Sequence, residues 1–296
     1  MQKDTDFSKK LLAHNIHFLA IHHEEVEKSS AAFLSDIHQL VHINHSSLQP
    51  YENTTFLAFQ YQNKLLVFVD HYQYLKLNLI LNSDFFIQFI HHQKQKGLAV
   101  YLFWQHSFQF NCNLFSQRLA MLLGIKQNIY ARLTQVTPIS IQEAADFFNQ
   151  YHEMQYAAGA FAFGLIFQNH LVAAALFGKK RKMTYQEPHF YSIELLRYTS
   201  LPGKNVVGGL SKLISFASKK YNCSHVMTYA SNDWGQGSSY RKLNFQTSEV
   251  VTPFLTAISR STSQIQFLSL KKSVQFPEND FFYLFNAGSL KCTQFL

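Results

Sequence analysis

Cysteine is scarce in this chain: three in 296 residues, Cys112, Cys223 and Cys292, odd in number and far apart. That excludes a disulfide framework and a cysteine zinc site, and it implies a reducing compartment. Acidic residues are also few, 18 against 26 lysines and arginines, which leaves a net charge of +8. The excess is modest and spread along the chain. It permits a polyanionic partner such as nucleic acid without requiring one, because a basic surface also serves solubility. No uninterrupted apolar run reaches membrane-spanning length, and the N-terminus from Met1 to Lys10 carries charge where a signal peptide has its apolar core. The expectation is a soluble, cytoplasmic protein with no membrane partner. Repeats and low-complexity segments are absent from the sequence.

Apolar and aromatic residues are plentiful. They make up 47% of the chain, with 29 Phe and 15 Tyr. Such a composition builds substantial cores and excludes a disordered protein. The length suits two domains.

The stretch from Ser192 to Phe245 organises the rest. Ile193, Leu195 and Tyr198 suit a strand, and Val207 to Lys220 places Leu210, Leu213, Ile214 and Ala217 on one helix face. Between them lies a turn with Gly203, Gly208 and Gly209. A glycine-bearing turn that opens a helix leaves backbone N–H groups free for an anion, and glycine allows close approach. Two glycines before a helix are also common without any ligand. Val226 to Ala230 reads as another strand and Tyr240 to Phe245 as a short closing helix.

In this order the pieces resemble the core of the GNAT acyltransferase superfamily. The strings ELLRYTS, VVGGLSKL, MTYASNDWGQGSSYRKLNF, FFNQYH and GLIFQNHLVAAALFGKKRK are more narrowly similar to the GNAT-like, Mom-like domain of phage and mobile-element proteins, over roughly residues 129–285. The resemblance implies a mixed sheet with flanking helices in an α/β (α+β) chain. It implies acetyl-CoA or another acyl-CoA as cofactor, with its phosphates held by Val206, Val207, Gly208, Gly209 and Lys212. It also implies that Tyr240 protonates the departing thiolate. Asn244 stands where glycine is usual, a mild departure because Asn tolerates the left-handed conformation.

Two residues compete for the role of base. His152 closes a helix that starts after Ser140, and it can equally be structural, near the negative end of the helix dipole. Glu194 is a strand carboxylate, which can instead pair with a buried basic group. Arg197 lies three residues on, which in a regular strand is the opposite face. The basic run Lys179, Lys180, Arg181 and Lys182 follows the strand Leu171 to Phe177. It reads as a solvated hairpin tip or as a loop that contacts the phosphates of DNA without regard to sequence. Trp234 can stack a base, with Asp233 on an exocyclic amine, or can cap the core.

Upstream, Phe7 to His22 and Ser30 to His42 read as helices, with Ser46 to Pro50 as a turn-rich break. His38, His42 and His45 share a helical face, but no carboxylate or cysteine completes a metal motif. The next block reads as the hairpin Phe56 to Tyr61 and Leu65 to Asp70, the helix Asp84 to Lys96, the strand Leu98 to Trp104 and the helix Leu114 to Leu123. The segments KGLAVYLFWQHSF, SQRLAMLLG and IYAR resemble the end of the endonuclease domain that precedes the Mom-like domain. The resemblance implies a PD-(D/E)XK nuclease relative that has lost its acids: Leu57 and Phe68 stand near the two acidic hairpin positions, and Asp70 is the one hairpin carboxylate left. Hydrophobic side chains cannot ligate Mg²⁺, so no metal is expected.

The expected organisation is therefore an N-terminal helical segment (1–50), a degenerate restriction-endonuclease-like α/β domain (51–127) and a GNAT-like domain (128–296). The tail is expected to supply strands at Val250 to Leu255, Ile265 to Leu270 and, last, Phe281 to Phe285. The leading functional expectation is acyl transfer to an amine of a nucleobase. The rivals are a non-catalytic nucleic-acid-binding accessory protein and a nuclease with a relocated metal site.

Overall fold

A computed structural model describes residues 2–44, 48–52, 54–184, 189–267 and 280–296. The chain divides into two compact units. The first comprises Met1–Ser116, Ser231–Gln236 and Val251–Ser289, and the second Gln117–Ala230, Gly237–Val250 and Leu290–Leu296. This division differs from the expected segments at 50, 127 and 296. Residues 251–289 belong with the N-terminal unit, and the first fifty residues are part of it.

The first unit opens with one long helix, α1 (Gln2–Asn44), where two were expected. The helix bends at His22, whose φ of −111° and ψ of 18° leave the helical region. Strands β1 (Gln49–Pro50), β2 (Leu57–Tyr61) and β3 (Lys64–Val69) follow. Helices α2 (His71–Lys76) and α3 (Phe85–Gln95) come next, then β4 (Ala99–Trp104), α4 (Gln105–Phe110) and α5 (Cys112–Leu122). The sheet order is β1-β2-β3-β4, with β2 and β3 antiparallel and β3 and β4 parallel. β3 and β4 are almost wholly buried and read as continuous apolar runs, as a sheet covered on both faces requires.

The second unit is built on β5 (Gln127–Tyr130), β6 (Gln135–Ile139), α6 (Ile141–Tyr151), β7 (Phe161–Phe167), β8 (His170–Phe177) and β9 (Arg181–Met183). It continues with β10 (Phe190–Ser200), β11 (Lys204–Val207), α7 (Gly209–Tyr221), β12 (His225–Ser231), α8 (Ser238–Arg241) and β13 (Gln246–Val251). Strands β14 (Leu255–Ser259), β15 (Ile265–Phe267) and β16 (Phe281–Phe285) form a separate sheet in the first unit. A final strand, β17 (Ser289–Phe295), which the sequence did not announce, joins the sheet of the second unit. The strand expected to run on to Leu270 extends past the described residues, as does Phe276-Pro277.

The main sheet of the second unit has the order β13-β17-β12-β10-β8-β7-β6, with β9 paired to β10. Local chemistry fixes several of its parts. Ser140 and Glu143 form a reciprocal capping box at the start of α6. β7 and β8 meet in a two-residue turn, Gln168-Asn169, with φ of 49° and 64°; both values are positive, as a tight hairpin turn needs. One sheet face packs on α7 through Phe163, Leu165, Phe177, Leu195, Leu213 and Ile214. The other packs on α6 through Ala144, Phe147, Phe148, Ala162, Ala174 and Leu176. The sheet therefore separates two sides, and each side carries different candidate residues. Among the described residues, no helix is long and apolar enough to cross a membrane.

Candidate active site

The sheet opens at its centre. β10 and β12 run parallel and pair from Ser192 with His225 to Leu195 with Thr228. Among the described residues, both strands then continue without pairing to each other, while β10 stays on β8 as far as Ser200 with Ala173. The parting coincides with a bulge: Leu195 faces Phe177 and Arg197 faces Leu176, so Leu196 is an extra residue. Extra residues bend a strand and re-aim its side chains.

The bulge overturns one expectation. A regular strand would set Glu194 and Arg197 on opposite faces, but the inserted residue brings both to the α6 side. Glu194 indeed holds the Arg197 guanidinium toward its charged form against the larger, opposing effect of burial. Arg197 also donates from Nε to the Gln155 carbonyl at 2.9 Å and from Nη1 to the Leu196 carbonyl at 2.8 Å. It thereby fastens the turn that follows α6.

His152 sits in that turn. Burial first, then the charges of Arg197 and Arg118, push its pKa down to about 3, against a smaller opposing pull from Glu153. Glu153 is ion-paired with Arg118. His152 Nδ1 accepts the Met154 N–H at 3.1 Å, which leaves the ring proton on Nε2. A neutral imidazole with this tautomer donates a hydrogen bond rather than abstracting a proton.

On the α7 side, Gly208 has φ of 78° and forms the N-cap without a side-chain hydrogen bond, and the first turn of α7 contains no acidic residue. Its opening N–H groups are thus not capped by a side chain. A Cβ on Gly209 would stand 2.9 Å from the Tyr198 hydroxyl and 2.9 Å from Val206 Cγ1. The second glycine is therefore a packing requirement. Val206 is buried in the core while Val207 is exposed, so only the backbone of Val206 can serve a ligand. Lys212, expected on a phosphate, gives its Nζ to the carbonyls of Ala131 and Thr134. It fastens the segment beside α7.

Tyr240 lies where the two strands part. Thr228 of β12 is its polar neighbour there. Thr228 donates its own proton to the Leu195 carbonyl at 2.9 Å. Burial raises the Tyr240 pKa, which keeps the phenol protonated at neutral pH. Tyr198 is its electrostatic neighbour and is also raised, chiefly by burial. The sequence placed Tyr198 on a strand and gave it no part in the site, and it did not single out Thr228; only the bulge and the register show what they meet. Asn244 has φ of 66°, the left-handed conformation expected of it.

The candidate nucleic-acid contacts stand apart. Lys179, Lys180, Arg181 and Lys182 are exposed. Lys180 is partly engaged, with Nζ on the Tyr221 carbonyl at 2.8 Å and over the Tyr191 ring at 3.9 Å. Trp234 belongs to the first unit, where it packs edge-on against Tyr101 and Phe103 at 5.4 and 5.5 Å. Asp70 caps α2, with Oδ1 accepting the Gln73 N–H at 2.8 Å, and Leu57 stands opposite Phe68 in the hairpin. Among the described residues, no group of three or more His, Cys, Asp or Glu side chains could hold a metal ion.

No protein-family model matches the sequence, and no curated protein matches it. Solved structures show partial similarity over about half of this chain. A GNAT family acetyltransferase from Elizabethkingia anophelis with acetyl-CoA bound is 10% identical, with 55% of this chain and 99% of the other covered and a TM-score of 0.32. A Bacillus subtilis acetyltransferase in complex with CoA gives 11%, 55%, 99% and 0.32 for the same quantities. Arabidopsis thaliana NAA60 in complex with acetyl-CoA gives 8%, 55%, 99% and 0.34.

Proposed function

We propose that the second unit binds an acyl-CoA and transfers its acyl group to an amine. The observation that carries this reading is the opening between β10 and β12 beyond Leu195 and Thr228, with Tyr240 beside Thr228 at that point. The side-chain-uncapped first turn of α7 supports it, because free N–H groups and the positive end of a helix suit a pyrophosphate. Gly208, Gly209 and the backbone of Val206 and Val207 would form that cradle. Lys212 would contribute by fixing the Ala131–Thr134 segment rather than by touching phosphate. An acyl-CoA supplies the activated acyl group as a thioester.

The residues divide the remaining work by sheet face. The unpaired edge of β10 offers backbone groups to an extended amide-bearing ligand. The first turn of α7 would hold the phosphates on one side of the sheet, and Glu194 lies on the α6 side. Glu194 would take the proton of the attacking amine, and Tyr240 would give a proton to the departing thiolate. His152, neutral and with its Nε2 proton free to donate, suits a contact to substrate or a structural role better than that of base.

For the acceptor, the resemblance to the Mom-like domain suggests an exocyclic amine of a nucleobase in DNA. The exposed Lys179, Arg181 and Lys182 support a polyanionic partner. The relation of residues 51–127 to the nuclease fold is likewise a proposal, supported by the mixed β1–β4 sheet. One observation favours the rival accessory reading: Lys212 is tied to carbonyls. The test is acetyl-CoA turnover with duplex DNA and with small amines as acceptors. Tyr240→Phe should lower turnover by roughly 10² to 10⁴ while leaving acetyl-CoA binding intact. Unchanged turnover in that variant refutes the acid role, and DNA binding without turnover favours the accessory protein.

A further inference from the structure

The first unit contains a cleft of about 300 Å³ that none of the acyl-transfer chemistry uses. Its polar lining is Glu27, Ser30, Thr55, Asp70, Tyr72 and Gln73, and among the described residues no lysine or arginine lines it. In a chain of net charge +8, this concavity gathers two carboxylates.

Asp70 is the unusual member. It is only 5% exposed, yet the groups that stabilise its carboxylate are neutral backbone donors, the Gln73 N–H and its own N–H. Ser30 has one proton, and that proton is committed to Gln105 Oε1 at 2.9 Å. Among the described residues, no cationic side chain forms an ion pair with Asp70. Burial consequently raises its pKa, as expected for a carboxylate held without a counter-charge. Glu27 stands at the rim, its side chain 53% exposed and 3.7 Å from His23 Nδ1. The Tyr72 hydroxyl lies 3.2 Å from His23 Nε2.

We propose that this cleft binds a small primary-ammonium ligand, with Asp70 at its floor and Glu27 at its rim as the anionic partners. An ammonium group carries three donors and needs only a few acceptors, which Asp70, Glu27 and the Ser30 and Thr55 hydroxyls supply. A divalent metal demands about six oxygen ligands at short range. The cleft far exceeds the ~30 Å³ of one water and suits a small organic molecule. Asp70 also caps α2, and that duty can be separated from ligand binding because asparagine caps as well as aspartate.

The full chain is titrated with n-butylammonium chloride, with 1-butanol as the neutral analogue, and backbone amide shifts are followed by NMR. The expected result is saturable binding of butylammonium at millimolar concentration, with shifts confined to the residues around Asp70 and none from butanol. Asp70→Asn should weaken binding roughly tenfold or more through loss of a charge-assisted contact. Glu27→Gln, at the solvent-screened rim, should weaken it about two- to threefold. Absence of saturable binding overturns the proposal, as does equal affinity for butanol or displacement by magnesium chloride at lower concentration. So does unchanged affinity in an Asp70→Asn chain that unfolds like wild type. Should that variant lose the fold, the comparison of butylammonium with butanol on the wild-type chain and Glu27→Gln decides.

Discussion

Replacing Arg197 by methionine tests whether the bulge in β10 organises the α6 side of the site. Methionine keeps much of the apolar stem and removes every donor. The variant loses the Nε bond to the Gln155 carbonyl at 2.9 Å and the Nη1 bond to Leu196 at 2.8 Å; the Nη2 contact to Met154 is long, at 3.4 Å. A hydrogen bond from a charged donor contributes about 1.5–3 kcal/mol. The Leu196 bond is local and the Met154 contact weak, so one full bond is counted, and about 2 kcal/mol of destabilisation follows. Urea unfolding measures it. A second readout is independent of stability. The Arg197 charge is the second cause, after burial, of the His152 pKa of about 3, so its removal should let that pKa rise, as an NMR titration of the imidazole would show. A change below ~0.5 kcal/mol, within the range of an ordinary surface substitution, together with an unmoved His152, would refute the account of the turn.

Other expectations follow from the same contacts. Gly209→Ala drives a methyl group toward the Tyr198 hydroxyl and Val206 at 2.9 Å each and should cost about 1–3 kcal/mol, read by thermal unfolding; a neutral outcome would show that Tyr198 is free to move. The pH dependence has a definite sign. The folded His152 pKa, about 3, lies below the ordinary 6.5, so the unfolded chain takes up the proton first as pH falls. Stability present above pH 6.5 should therefore decline toward pH 3, by up to about 1.4 kcal/mol per unit for one such group. Buried His71 is lowered too, chiefly by desolvation and then by His106, and acts in the same direction. Denaturation at a series of pH values, with His152→Gln flattening the slope, checks this; an identical slope in the variant would contradict it.

The parts of the fold that local chemistry decides could be read from sequence. The Ser140–Glu143 capping box, the Gln168-Asn169 turn and the apolar stripe of α7 each depend on residues within a turn or two of one another. Gly208 and Gly209 were singled out from a strand, turn and helix in succession, whereas Tyr240 came from the resemblance to the GNAT core. What escaped depends on distant partners. The extra residue at Leu196 exists only in relation to the register of β8, and it reverses which face Arg197 occupies. Lys212 meets a carbonyl 81 residues away, a separation at which no periodicity signals contact. The same holds for β17, which rejoins the second unit's sheet after 251–289 has served the first.

The central claim is that the opening beside α7 receives an acyl-CoA, and calorimetric titration of the full chain with acetyl-CoA tests it most directly, alongside a thermal scan. Saturable binding is predicted, with a stabilisation of about 2.7 kcal/mol at 100 times the dissociation constant. Tyr240→Phe should bind equally well. Gly208→Trp, which puts a bulky side chain at a left-handed position with φ of 78° at the mouth of the first turn, should abolish binding while the variant remains folded. Absence of binding by the wild-type chain, or undiminished binding by folded Gly208→Trp, would contradict the account.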